Sequence, residues 1–135
     1  MEDCFGITFK MLSEAIKRTK QLKFICDTCF EYFRNDNVIY LEIRSTPKKL
    51  SDCDEIGYIN LVISSIESFE AQITVRYLIS INRAIPPEFY DKLLDEFERN
   101  PKWQKYIVGF DYSGNPTMRF ITDYKTQLTR AKKLG

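Results

Sequence analysis

The sequence predicts an α+β fold in which a single, mostly antiparallel sheet of about five strands is packed by helices. Three kinds of observation predict it. Apolar residues recur every three or four positions in some stretches, apolar and polar residues alternate in others, and turn-forming residues cluster between them. Followed along the 135 residues, these patterns give the order α-β-β-β-α-β-β-α.

The first half of the chain is predicted to form one helix and three strands. Residues 8–34 carry apolar side chains at helical spacing, and residues 38–44 then change to strict alternation. Residues 56–64 and 72–82 show the same alternation. Because the short Ser68-Phe69-Glu70 region joins these last two strands, we expect them to pair as an antiparallel hairpin.

The second half is predicted to form two helices and two strands. The proline pair at residues 86–87 begins a helix, since proline is tolerated in the first helical turn. Two strands follow at residues 106–112 and 117–123, with a strong turn signal, Ser-Gly-Asn-Pro, at residues 113–116 between them. A short helix over residues 125–133 closes the predicted fold.

Length and composition indicate one domain. A chain of 135 residues with 44% hydrophobic residues can bury a core, so residues 1–135 are interpreted as one unit that ends in a basic helix or tail, residues 125–135. The net charge of +1 argues against a dedicated duplex-DNA binder. No apolar stretch approaches the ~18 residues that span a bilayer. We therefore expect a cytoplasmic protein without membrane contact, in a bacterial cell or a phage-infected host.

The sequence contains no histidine, which removes the commonest general base and the commonest zinc ligand. We therefore expect no enzymatic activity and no cofactor. A zinc site is the alternative, because Cys26 and Cys29 form a C-x-x-C pair that Cys4 and Cys53 would extend to four thiols. The spacing of the pair also matches the apolar stripe of the first helix, which favours buried, inert thiols.

Acidic residues segregate onto one face of the second helix. In a chain without an evident catalytic group, this face is predicted to dock a partner protein. The tryptophan that follows the helix is interpreted as an interface anchor or as a lid over the core. The predicted partner-binding residues are Glu88, Asp91, Asp95, Glu98 and Trp103.

Basic residues segregate onto the first helix and the C-terminal segment. A basic helix face binds the phosphates of nucleic acid, so an accessory protein that binds nucleic acid is an alternative function. The residues for that alternative are Lys17, Lys20, Lys23, Arg130, Lys132 and Lys133. A further alternative is a carboxylate-based metal-dependent hydrolase that uses the acidic clusters as metal ligands.

One part of the chain carries a resemblance to a known family. Residues 103–114, from the tryptophan to the glycine of the turn, and residues 120–124, Phe-Ile-Thr-Asp-Tyr, resemble the end of the YezG-like toxin-immunity family. In that family a tryptophan also precedes a hairpin with a glycine turn and a closing aspartate-tyrosine pair. The resemblance assigns no functional residue.

The main functional prediction is a non-catalytic protein that binds and inhibits or modulates another protein through its charged surface. A phage anti-defence protein or a toxin-immunity protein is the expected form, and a nucleic-acid-processing enzyme or a toxin is the expected partner. The absence of histidine and the segregation of surface charge are the observations behind it.

Overall fold

The computed structural model describes residues 11 and 14–135, in which helices and strands alternate. The helices are α1 (Thr19–Asn35), α2 (Glu55–Phe69), α3 (Glu88–Arg99), α4 (Pro101–Tyr106) and α5 (Lys125–Leu134). The strands are β1 (Tyr40–Ser45), β2 (Thr74–Asn82) and β3 (Ile107–Ser113), and a 3-10 turn covers Ile121–Tyr124. Of the predicted first helix, residues 8–10, 12 and 13 lie outside the described residues.

Among the described residues the sheet has three strands in the order β1-β2-β3, and both neighbouring pairs are parallel. The prediction of a mostly antiparallel sheet of about five strands is therefore wrong. Parallel neighbours cannot be joined by a tight turn, because the chain has to return to the starting end of the sheet before the next strand begins. α2 makes that return between β1 and β2, and α3 with α4 makes it between β2 and β3.

Residues 56–64, predicted as a strand, belong to α2 instead. Asp54 caps the start of α2, because its carboxylate accepts a hydrogen bond of 2.8 Å from the backbone N–H of Gly57. Alternation and helical spacing coincide over a short apolar run, so period alone did not separate the two structures. The buried residues of α2 follow the helical spacing: Tyr58, Ile59, Val62, Ile63, Ser65 and Ile66.

Residues 117–123, predicted as the last strand, form a turn and most of the 3-10 segment. The side-chain oxygen of Asn115 accepts hydrogen bonds from the backbone N–H and the hydroxyl of Thr117, at 3.0 and 2.9 Å. The backbone N–H of Phe120 donates to Asp123 Oδ2 at 2.9 Å. Side chains therefore bind backbone donors that a strand would give to its neighbour.

The described helices cover one face of the sheet. Val75, Tyr77, Ile79 and Ile81 alternate along β2, are at most 1% exposed, and lie at the centre of the core. The residues between them point to the opposite face, which carries mainly polar side chains. Sequential parallel strands with helices on a single face are typical of a singly wound βα array, the kind that closes into a barrel. A doubly wound sheet has helices on both faces.

The first helix is anchored by one apolar stripe. Leu22, Cys26 and Phe30 are buried at four-residue spacing against the rest of the core. α1 is followed by Asn37, which adopts a left-handed φ of 61°. None of the helices in the described part of the chain is long and apolar enough to cross a membrane.

Raising the pH above about 9 is expected to lower the free energy of unfolding. Burial raises the pKa of the Cys26 thiol from 9.0 to about 12, and burial also raises the pKa of the Tyr77 and Tyr90 hydroxyls. These groups are neutral in the folded protein and ionise more readily in the unfolded chain. Their stabilisation is therefore complete below the unfolded pKa values and declines as the pH rises toward the folded ones.

Urea unfolding at about pH 8 and about pH 10.5 measures this effect. The variant Cys26→Ala removes one of the titrating groups, so its free energy of unfolding should fall less between the two conditions. Equal free energies of unfolding of the unmodified protein at both pH values would contradict the assignment.

Candidate functional site

Polar side chains meet on the open face of the sheet, at the carboxyl ends of its strands. Arg44 Nη1, from β1, donates a hydrogen bond of 2.6 Å to Asp111 Oδ2, from β3. Ser80 Oγ, from the central strand β2, lies 3.3 Å from the same carboxylate oxygen and 2.6 Å from Ser113 Oγ. Parallel β/α folds place their binding groups at this end of the sheet, so these residues form the candidate site.

The strand register explains why these side chains meet. Ser80 pairs with Asp111, Asn82 pairs with Ser113, and Arg44 lies beside the residue two positions before Ser80. Because side chains alternate between faces, all of them project away from the helices. Ser80 is only 4% exposed, whereas the Arg44 side chain is 61% exposed. The serine therefore forms the floor of the site and the arginine forms its rim.

A glycine lets the turn after β3 approach the end of β2. Gly114 has a φ of +94°, and a Cβ at this position would lie 2.6 Å from Asn82 Oδ1. That oxygen already accepts a hydrogen bond of 2.9 Å from the backbone N–H of Ala84. A side chain at residue 114 would therefore displace the end of β2.

Two arginines connect the loops that follow β2 and β3. The guanidinium of Arg83 lies 4.4 Å from the centre of the Tyr112 ring and donates to the carbonyl oxygen of Pro116 at 3.0 Å. Arg119 donates in return to the carbonyl oxygen of Arg83 at 3.0 Å. The loops beside the site are thus held by side-chain contacts as well as by the sheet.

The site offers hydrogen-bond donors and one balanced charge pair. Arg44 donates a hydrogen bond to Asp111 through Nη1, and its side chain is mostly exposed. The other N–H groups of its planar guanidinium are therefore available to a ligand. Planar guanidinium groups bind carboxylates and phosphates in pairs of hydrogen bonds. The hydroxyls of Ser80 and Ser113 and the side chain of Asn82 add neutral polar groups. This set suits a polar ligand that carries an anionic group.

The acidic side chains predicted to bind a partner hold α5 against α3. Gln127 Nε2 lies 3.0 and 3.2 Å from the two carboxylate oxygens of Asp91. Arg130 donates to Asp95 at 2.7 Å and to Glu98 at 2.9 Å. These three acids therefore face a neighbouring helix of the same chain.

The remaining two predicted partner-binding residues lie apart from each other. Glu88 is exposed at the start of α3. Trp103 is 0% exposed, and its indole N–H donates to the side-chain oxygen of Asn60 at 2.7 Å. The tryptophan therefore belongs to the core and is not accessible as an interface anchor.

The basic residues named for nucleic-acid binding lie at the two flanks of the fold. α1 packs on α2 beside β1, whereas α5 packs on α3 and β3. Lys23 forms an ion pair of 2.6 Å with Asp27 on its own helix. The structure places three of these residues at or before α1 and three on α5: Lys17, Lys20 and Lys23, then Arg130, Lys132 and Lys133.

The described thiols named for zinc binding pack in or against the core and do not belong to a cluster of metal ligands. Cys26 is buried, Cys29 and Cys53 are half-buried, and Cys4 lies outside the described residues. Burial raises the pKa of all three described thiols. Within residues 11 and 14–135, no three histidine, cysteine, aspartate or glutamate side chains are grouped to hold a metal ion.

The chain is similar along its whole length to part of several deaminases. It is 31% identical over 139 residues to an adenosine deaminase-like protein of Drosophila melanogaster, covering 100% of this chain and 41% of that protein. It is 28% identical over 143 residues to the human N6-methyl-AMP deaminase, covering 100% and 39%. The chain thus spans about two fifths of the length of the curated relatives it matches. No family model matches it.

Solved structures share the fold. An Arabidopsis ADAL structure complexed with GMP matches with a TM-score of 0.81 and 27% identity, covering 93% of this chain and 40% of that one. An amidohydrolase from Burkholderia ambifaria with bound Zn matches with a TM-score of 0.74. At 16% identity, over 87% of this chain and 33% of that one, the second match shows likeness in fold alone.

These comparisons overturn the prediction of a non-catalytic inhibitor. The relatives are named as deaminases, which are enzymes, and none of those reported above is an anti-defence or immunity protein. Of the predicted functions, the metal-dependent hydrolase alternative agrees best with them. The segment that resembles the YezG-like family, residues 103–114, contains the end of helix α4 and the parallel strand β3, where that family has a hairpin.

Sequence reasoning missed the candidate site, although a signal for it was present. Each predicted strand that the structure confirms has polar residues in or directly after its last positions, such as Arg44 and Ser45, Ser80 and Asn82, and Asp111 and Ser113. Parallel strands bring such ends together, whereas an antiparallel sheet sends them to opposite edges. The residues that this signal would have indicated are Arg44, Ser80, Asn82, Asp111 and Ser113.

Proposed function

We propose that this chain is the nucleotide-binding arc of a purine nucleotide deaminase. Such an enzyme replaces the amino group at C6 of the purine with oxygen from water, so that N6-methyl-AMP would yield IMP and methylamine. The names of the relatives and the GMP complex of the Arabidopsis structure support this class of substrate. One-sided helices on sequential parallel strands support an arc of a βα barrel.

The observation that carries the proposal is the polar cluster at the carboxyl ends of the strands. Ligands of βα barrels bind at this end. Here a chain of hydrogen bonds runs from Arg44 to Asp111, from Asp111 to Ser80 and from Ser80 to Ser113. The position of the cluster on the open face leaves it accessible from the side that a barrel interior would occupy. We assign these residues to holding and orienting the nucleotide.

Within the cluster, Arg44 is assigned to the phosphate. Its guanidinium is mostly exposed at the rim and contacts Asp111 through one amino group. A guanidinium forms paired hydrogen bonds with phosphate oxygens, and these charge-assisted bonds are stronger than neutral ones. Buried hydroxyls such as Ser80 Oγ instead suit the neutral polar atoms of the ribose or the base.

A metal ion is the usual means of activating water in hydrolytic reactions, since it lowers the pKa of a bound water. The residues of this chain do not fit such an ion. The sequence has no histidine, and the described part of the chain holds no group of three potential metal ligands. No water-activating step is therefore assigned to the residues of this arc.

Isothermal titration calorimetry of the purified chain with IMP tests the proposal. We expect saturable binding at a single site, clearly weaker binding of inosine, which lacks the phosphate, and weaker binding of UMP, which lacks the purine. The comparison of the three ligands separates recognition of the phosphate from recognition of the base. Absent IMP binding, or equal affinity for all three ligands, would rule out a nucleotide-binding arc.

A further inference from the structure

Among the described residues, the candidate site at the carboxyl ends of the strands (the strand-end site) contains one acidic side chain, Asp111, and a cation of the same chain already neutralises it. Asp111 Oδ2 accepts the 2.6 Å hydrogen bond from Arg44 and lies 3.3 Å from Ser80 Oγ. The other described side chains that share this end of the open face are neutral: Leu78, Ser80, Asn82 and Ser113.

The nearest acid on the same face is too far along the strands to help. Glu42 pairs in register with Arg76, four residues before Ser80 on β2, which is about 13 Å along the strand. Carboxylate oxygens that share one zinc ion each lie about 2 Å from it, so their separation is limited to about 4 Å. Glu42 and Asp111 therefore cannot bind the same ion in this arrangement.

The thiols do not compensate for the missing histidines. Cys26 is buried in the hydrophobic core, and Cys29 and Cys53 are half-buried against it. Cys26 and Cys29 lie on α1, on the face of the sheet opposite Asp111. These two thiols are therefore removed from the strand ends.

Six further carboxylates in the described part of the chain are engaged in ion pairs around the helices. Each of these acids lies within 3 Å of a lysine or arginine nitrogen, so a metal ion would have to displace a bound cation. The pairs are Glu55–Lys92, Glu67–Lys102, Glu70–Lys105, Glu96–Arg99, and Asp95 and Glu98 with Arg130.

We infer that the Arg44 guanidinium occupies the place beside Asp111 that a divalent cation would need, and that the strand-end site of this chain binds its ligand without a metal. The positive charge that meets the anionic group of the ligand is then a fixed part of the protein. The identity of that ligand rests on the proposed function, but the absence of a metal requirement does not. A hydrolytic step that used a metal would take its ligands from outside the described residues.

Zinc content and nucleotide binding, measured separately, test this inference. The chain is stripped with EDTA, dialysed against micromolar ZnCl₂ and then against zinc-free buffer, and its zinc is counted by mass spectrometry. IMP is titrated into one sample that contains EDTA and one that contains zinc. We expect zinc far below one equivalent per chain and the same IMP affinity in both buffers.

One retained zinc ion per chain would overturn the inference, and so would IMP binding that appears only with zinc. The variants Asp111→Asn and Cys26→Ser then show whether a retained ion sits at the strand ends or at the thiols, and Asp95→Asn is the matched control on α3. If IMP binds in neither buffer, the proposed function fails. The zinc count still decides the inference in that case.

Discussion

Arg44→Gln is expected to weaken IMP binding about tenfold to a hundredfold, because hydrogen bonds to charged groups contribute about 1.5–3 kcal/mol. The guanidinium stands at the rim of the site, 61% exposed, with Asp111 as its bound carboxylate. Removing it also leaves the Asp111 carboxylate without its cation, and that charge then repels the phosphate. Calorimetry with IMP and inosine should show the loss for IMP and little change for inosine.

Two further variants separate a binding role from a general effect of charge. Arg44→Lys keeps the positive charge without the planar fork and should recover part of the IMP affinity. Arg99→Gln removes an arginine of similar exposure, 67%, that pairs with Glu96 at the end of α3, and it should leave IMP binding unchanged. Equal losses in Arg44→Gln and Arg99→Gln, or equal losses for IMP and inosine, would show that Arg44 does not contact the phosphate.

Trp103→Ala is expected to lower the free energy of unfolding by about 3–5 kcal/mol, the usual cost of truncating a buried aromatic side chain to alanine. Trp103 is fully buried, and its indole N–H donates to Asn60 on α2 over 2.7 Å. The substitution would leave a cavity under α4 and remove a hydrogen bond between two helices. Urea unfolding followed by circular dichroism measures the change.

The control for this variant lies one residue earlier. Lys102→Ala removes a surface ion pair with Glu67 at 2.6 Å and should cost less than about 1 kcal/mol. Trp103→Phe keeps most of the ring volume and should fall between the two. A free energy of unfolding that changes equally in Trp103→Ala and Lys102→Ala would mean that the indole does not hold α4 in place.

The sequence predicted most elements and misjudged how they connect. A helix before β1, strands at 38–44, 72–82 and 106–112, and helices after Pro87 and Lys125 all have counterparts in the structure. Residues 56–64 were interpreted as a strand, so a hairpin was predicted where the structure has a βαβ crossover. The predicted sheet was antiparallel for that reason, whereas the observed sheet is parallel. The cap at Asp54 was the available signal, since an aspartate before an apolar run favours a helix.

The candidate site could not be predicted without the correct topology. Arg44, Ser80 and Asp111 lie far apart in the sequence and form no motif with a known spacing. They meet because two parallel registers bring them to one end of one face. Three of the acidic residues that the sequence made conspicuous, Asp91, Asp95 and Glu98, bind side chains of α5 in the same chain.

The two outer strands of the sheet have a consequence for how the chain behaves at high concentration. In the described part of the chain, β1 and β3 each pair on one side, so the backbone amides and carbonyls on the other side of each have no strand partner there. Charged residues at 42 and 44 discourage another strand from adding to β1, whereas β3 begins with Ile107 and an exposed Val108. Self-association should therefore start from the β3 edge, and the substitution Val108→Lys is expected to suppress it.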